Sequence, residues 1–253
     1  MIVGSKSAMG AAQRIVSEMP AHELYIEAFA GSAAVGRLKR RCELEVYVER
    51  DPLTAASLRP LIPDRQLVVG DCTRVIVPEN VPVEAVLYAD PPYLMSTRRS
   101  KKKYYRFELS TDAEHERLLA WLLKFRCRVL LSGYWSELYA ARLDPNVWRL
   151  VTFGVPTRSG RAVECLWCNF PATLERHDTR FMGEGFRERE RIKRKAVRWA
   201  RRILAMPPGE RAAVLSALTS VPDDEPAGSI AAPVQACSVI SDDGPYVPQL
   251  ELL

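Results

Sequence analysis

The chain has 253 residues, 47% hydrophobic and 26% charged, enough for one large α/β core with an appendage. It lacks any apolar run of about 18 residues and any charged-then-apolar amino-terminal signal, which argues against a membrane helix and against secretion and predicts a cytoplasmic protein. The net charge of +5 understates a basic body: residues 221–253 hold six acidic residues and no Lys or Arg, leaving +11 on residues 1–220, a balance suited to a polyanionic partner.

In chain order, Leu24 to Phe29 predicts an apolar strand that breaks at small residues, Ala30-Gly31-Ser32-Ala33, before a helix that includes Arg37 and Lys39. Small residues at such a turn let a cofactor approach the backbone, although the dinucleotide spacing of glycines is absent. A second strand, Leu44 to Val48, ends at Glu49-Arg50-Asp51, about 20 residues beyond the glycine turn, where an acid can hold ribose hydroxyls. A third, Gln66 to Val69, ends in Gly70-Asp71-Cys72. A fourth, Ala85 to Ala89, ends in Asp90-Pro91-Pro92-Tyr93. Polar residues at successive carboxyl-terminal strand ends mark the ligand edge of an open α/β sheet.

The tetrapeptide suits an exocyclic amine. A base amine is a poor nucleophile because its lone pair is delocalised into the ring. Two acceptors that engage both hydrogens free it: the Asp90 carboxylate, and the Pro91 carbonyl whose direction Pro92 helps fix. Tyr93 can then stack on an extruded base, worth about 1–3 kcal/mol. Taken alone, the same four residues also describe a proline-rich turn.

The segment Arg98-Arg99-Ser100-Lys101-Lys102-Lys103-Tyr104-Tyr105-Arg106-Phe107 interleaves cations with aromatics, as a nucleic-acid-facing loop does. Thr111 and Glu114 form a capping box for a helix over 112–125, with His115 in its first turn. A strand over 127–131, a short helix near 135–141 and strands near 147–153 and 162–170 complete a mostly parallel α/β sheet with helices on both faces. Cys165 and Cys168 fall on opposite faces of that last strand without a second pair, so no metal site is expected. Residues 186–203 predict an amphipathic basic helix, fit for a phosphate backbone or simply for solvent. The expected organisation is a catalytic domain over 1–175, a basic helical appendage over 176–220 and an acidic, proline-containing tail over 221–253.

Tyr25 to Val35, Asp90 to Tyr93 and Gly4-Ser5-Lys6, in that arrangement, resemble the Dam-type DNA adenine N6-methyltransferases. Val129 to Tyr134 and Glu164 to Phe170 resemble the family's later strands, so the resemblance covers roughly residues 1 to 171. It implies a class I, Rossmann-like fold with an antiparallel edge hairpin and S-adenosylmethionine as cofactor. Lys6, Glu27, Phe29, Ala30, Gly31, Ser32, Asp51, Asp71 and Cys72 would line the cofactor site, with Glu49 the rival to Asp51. Asp90, Pro91, Pro92 and Tyr93 would serve the adenine, and Arg98, Arg99, Lys101, Lys102, Lys103, Tyr104, Tyr105 and Arg106 the nucleic acid. DNA is the expected partner of a monomer or weak dimer. RNA adenine, DNA cytosine N4 or a silent binding protein are the alternatives.

Two departures stand out. Ala33 replaces a glycine common in the cofactor loop. Only Thr73 to Glu84 separates Asp71 from the fourth strand, where longer members carry a target-recognition domain, so the chain matches a short, phage-like member with relaxed sequence specificity.

Overall fold

A computed structural model describes residues 6, 10–98, 102–157, 160–172 and 175–220. Gly4, Ser5, Arg99, Lys101 and the acidic tail lie outside the described residues. Seven strands form one sheet: β1 (Leu24–Glu27), β2 (Leu44–Glu49), β3 (Gln66–Val69), β4 (Val86–Ala89), β5 (Arg128–Gly133), β6 (Arg149–Thr157) and β7 (Gly160–Cys168), in spatial order β3-β2-β1-β4-β5-β7-β6. The first five pair in parallel, while β7 runs antiparallel to both β5 and β6. The expected mostly parallel sheet with an antiparallel edge hairpin is therefore what the chain forms.

Residues alternate along each central strand between two cores. Ile26, Leu87, Ala89, Val129 and Leu131 join one, with Leu118, Leu119 and Leu122 of α5 (Asp112–Leu122) and Tyr139 of α6 (Glu137–Arg142). Tyr25, Val86, Tyr88 and Leu130 join the other, with Ile15, Val16 and Met19 from α1 (Ala11–Glu18) and its end, Val35 of α2 (Ala34–Leu38) and Leu58 of α3 (Pro52–Leu58). Both faces are covered, which is why β4 and the middle of β5, Val129 to Leu131, are apolar. The predicted capping box is present: Glu114 N donates to Thr111 Oγ1, and Thr111 N to Glu114 Oε2. His115 is buried behind it, bonded to Tyr139 Oη and the Leu109 carbonyl oxygen. Cys165 and Cys168 sit in opposite cores.

Helix α1 was not expected from the sequence, although Ala11, Ala12, Ile15, Val16 and Met19 have helical spacing. Between β3 and β4 the chain makes one turn of helix, α4 (Cys72–Val75), and a 3₁₀ turn at Pro78–Asn80. Two further helices follow the sheet, α7 (Phe186–Leu204) and α8 (Pro208–Ser220). The described residues divide into two compact units, one up to Val197 and one from Arg198 to residue 220. No described helix is long and apolar enough to cross a membrane.

Gly36 lies where α2 passes over β1 and β2, and a Cβ there would stand 2.5 Å from both Glu27 Oε2 and Tyr47 Oη. In an open helix, Gly to Ala gains about 1 kcal/mol. Here the sign reverses: Gly36→Ala is expected to lower unfolding stability by about 1–3 kcal/mol through overpacking, measurable by urea titration. An unchanged or raised midpoint would contradict this packing.

Candidate active site

The loop after β1 is pinned between two strand ends: Ala28 N donates to the Tyr88 carbonyl on β4, and Ala30 N to the Val48 carbonyl on β2. Gly31 takes φ +50° with open space around its missing Cβ, and Ala33 adopts φ 50° as well. Where a glycine was expected, Ala33 thus keeps the left-handed backbone itself, at about 1–2 kcal/mol of local strain. Its side chain is fully buried in the second core.

Glu49 closes the turn from the neighbouring strand, accepting from Gly31 N at 2.8 Å through Oε2 and from Asp51 N at 2.8 Å through Oε1. Asp51 caps α3, accepting from Leu53 N and Thr54 Oγ1, and Asp71 caps α4, accepting from Thr73 N and Oγ1. All three carboxylates border a cavity of about 730 Å³ that also takes in Glu27, Phe29, Ala30, Gly31, Ser32, Cys72, Lys6 and Asp90. That volume suits a small-molecule ligand.

Glu27 sits at the floor of this cavity. Burial pushes its carboxyl up to about 8, against the opposing bonds from Tyr25 Oη at 3.0 Å and Gly36 N at 3.1 Å. It therefore holds its proton near neutral pH.

At the far end, Lys6 Nζ lies 2.9 Å from Asp90 Oδ1, donates to Tyr93 Oη, and is 4.6 Å from the Tyr93 ring centroid. Glu164 Oε2 on β7 is 3.4 Å from the same ammonium. Burial opposes the charge on Lys6, but the Asp90 and Glu164 carboxylates outweigh it and its pKa is raised. Burial also pushes the Glu164 carboxyl up, against the pull of Lys6. The Tyr93 ring meets Tyr134 edge-on, with centroids 4.6 Å apart. A nitrogen cation thus already sits between the Tyr93 hydroxyl and Asp90. Pro92 lines the cavity and Pro91 is buried at the start of the loop.

The basic aromatic segment behaves differently from its sequence pattern. Arg98, expected to meet phosphate, is buried: its Nε donates to the Tyr93 carbonyl at 2.6 Å and its two Nη atoms grip Glu108 at 3.1 and 2.7 Å. Glu108 also accepts from Tyr104 N and Tyr105 N. Tyr104, Tyr105 and Arg106 border the cavity rather than standing apart from it, and Arg106 Nη1 reaches Asp51 Oδ1 at 3.6 Å. Arg50 and Arg106 both flank the Phe107 ring. Lys102 and Lys103 are exposed. Glu108 and Glu164 were missed as site residues. The available signal was a lone carboxylate just after a run of cations, and another in the middle of a largely apolar strand.

No family model and no curated protein matches the chain. Among solved structures it is similar to a precorrin 8w decarboxylase from Methanobacterium thermoautotrophicum, with 12% identity, 67% of this chain and 94% of that one covered, and a TM-score of 0.41. An rRNA methylase from Streptococcus thermophilus gives 12%, 62% and 93%, and 0.42. A tRNA m1G37 methyltransferase from M. jannaschii gives 11%, 68% and 52%, and 0.46. The strand order, not these distant likenesses, identifies the architecture. The fold is α/β, of the class I methyltransferase type.

Two outcomes test this geometry. Because the folded pKa of Glu27 lies above its ordinary 4.5, the native state binds the extra proton, and its contribution to stability falls as pH rises from about 5 to about 8. Glu27→Gln keeps an acceptor for Tyr25 and Gly36, so its stability should decline less over that range than the parent's. Parallel pH profiles in thermal melts would refute the assignment. Arg98→Met should cost about 3–5 kcal/mol by leaving Glu108 buried without its partner, and a loss below about 1 kcal/mol would show the pair to be dispensable.

Proposed function

We propose that this chain transfers the methyl group of S-adenosylmethionine to the N6 amine of adenine in DNA, as a short Dam-type enzyme that extrudes its target base. The observation that carries the proposal is the Lys6 ammonium held between Asp90 Oδ1 and Tyr93 Oη, because a base amine needs that same carboxylate acceptor beside the same aromatic residue. The cavity leading to it supports the cofactor. The open space at Gly31 admits a ligand against the backbone, and Glu49 and Asp51 offer acceptors to ribose hydroxyls. When bound there, S-adenosylmethionine supplies an electrophilic methyl on sulfur.

The protein's part is positional. Lys6 gives up Asp90 to the arriving amine while Glu164, 3.4 Å away, retains its charge. Asp90 and the Pro91 carbonyl each accept one amine hydrogen, which localises the nitrogen lone pair. The amine nitrogen so oriented would take the methyl that the bound cofactor supplies, leaving the sulfur as a neutral thioether, and the displaced amine proton would leave to water. Tyr93 stacking offsets part of the few kcal/mol that base extrusion costs. Arg98 fixes the loop by holding the Tyr93 carbonyl. With only α4 and one 3₁₀ turn between β3 and β4, the enzyme is expected to read a very short sequence or almost none.

A tritiated-methyl assay on duplex DNA, single-stranded DNA and RNA, followed by nucleoside analysis and site mapping, tests this. Label is expected on N6-methyladenine from DNA, and Asp90→Ala should abolish it while cofactor binding persists. Label on RNA or on cytosine, or turnover retained in Asp90→Ala, would overturn the assignment.

A further inference from the structure

Helix α7 carries more charge than anything at the cavity requires. At about 100° per residue, Arg187, Arg191, Arg194, Lys195, Arg198, Arg201 and Arg202 fall within one arc of about 120°. The arc beside it holds Ile192, Ala196, Trp199 and Ile203, with Arg189 and Lys193 beyond them. Ile192 and Ile203 are half-buried, and Ile192 Cδ1 packs so closely on the turn at Gly183 that a Cβ there would stand 3.2 Å from it. The cations of the arc are all exposed.

Their charge is poorly compensated. Arg191 meets Glu188 at 3.2 Å in an exposed pair, a contact of little worth, and Arg194 Nε bonds the Glu190 carbonyl within the helix. Arg187, Lys195, Arg198 and Arg201 have no carboxylate in ion-pair range among the described residues. Like charges three and four residues apart destabilise a helix, so a face made only for solvent would mix signs. From Arg187 to Arg202 the arc runs about 22 Å along the helix. A duplex presents about one negative charge per 1.7 Å of its axis, a spacing dense enough to offer every one of these cations a phosphate.

We infer that the cationic face of α7 lies along the phosphate backbone of duplex DNA. The choice of DNA rests on the adenine-methylation reading, whereas the contact itself rests on charge and spacing. Phosphate contacts carry no sequence information but fix position and register. Here they supply affinity that the short β3–β4 connection cannot.

The test is the salt dependence of binding by the full chain to a labelled DNA duplex, read by fluorescence anisotropy between about 50 and 200 mM salt. In the triple variant Arg187→Gln, Arg191→Gln, Arg194→Gln, the slope of log K against log salt should become shallower by about 2–3, since each phosphate contact contributes about 0.9. Gln preserves helix propensity, and circular dichroism on the same variant verifies folding. An unchanged slope overturns the proposal. So does an effect confined to duplex RNA, or to vesicles containing phosphatidylserine. A changed slope with a parent enzyme that methylates no nucleic acid would leave this contact standing and defeat the activity proposed above.

Discussion

The parallel pairing of β4 against β1 is the constraint on which the site depends. Tyr25, Ile26 and Glu27 register with Val86, Leu87 and Tyr88, so both strands end at the same level and their loops open side by side. β2 lies on the other side of β1, and the crevice where the chain's direction of progression reverses becomes the cavity. Nothing in the loops themselves would bring Gly31 and Asp90 together. The two apolar cores, one on each face, hold the strands in that register, and the polar tips inherit their positions from it.

Within this frame three carboxylates are set to different tasks by their surroundings. Glu27 is desolvated and protonated near neutral pH, closing the floor under Gly36. Glu49 spends its oxygens on the Gly31 and Asp51 amides and so shapes the turn that a ligand meets. Asp90 faces a cation. Glu108, outside the crevice, does for the segment over 98–108 what a small core would do for a larger one: a single carboxylate gathers Arg98 and two backbone amides. Burying this pair costs desolvation, but two parallel guanidinium bonds and two amide bonds offset it.

Much of this was legible in the sequence because it is local. Strands ending in Gly31-Ser32, Asp71 and Asp90 announce a ligand edge from composition alone, and Thr111 with Glu114 announces the start of α5. The choice between Glu49 and Asp51 was not legible. Both lie within two residues of the end of β2, and the structure engages both, Asp51 in capping α3 and Glu49 in clasping Gly31. Arg98 misled for a related reason: in a row of cations it reads as one more solvated charge, and the partner that buries it comes ten residues later. Helix α1 escaped notice because its apolar residues are few and small, although Ile15 and Val16 become completely buried.

The β1–β4 pairing also governs when the site comes into being. β1, β2 and β3 are close neighbours in sequence. Tyr25 and its partner Val86 are 61 residues apart, and the strand that follows the hairpin turn, β7, must return to β5 across a further stretch. Contacts of such long range form late and slowly. Glu164 arrives last, on β7, so Lys6 gains its second carboxylate only after Asp90 and the turn at Gly31 have both been made. Assembly of the two halves of the cavity is therefore ordered in time by the linear order of the strands.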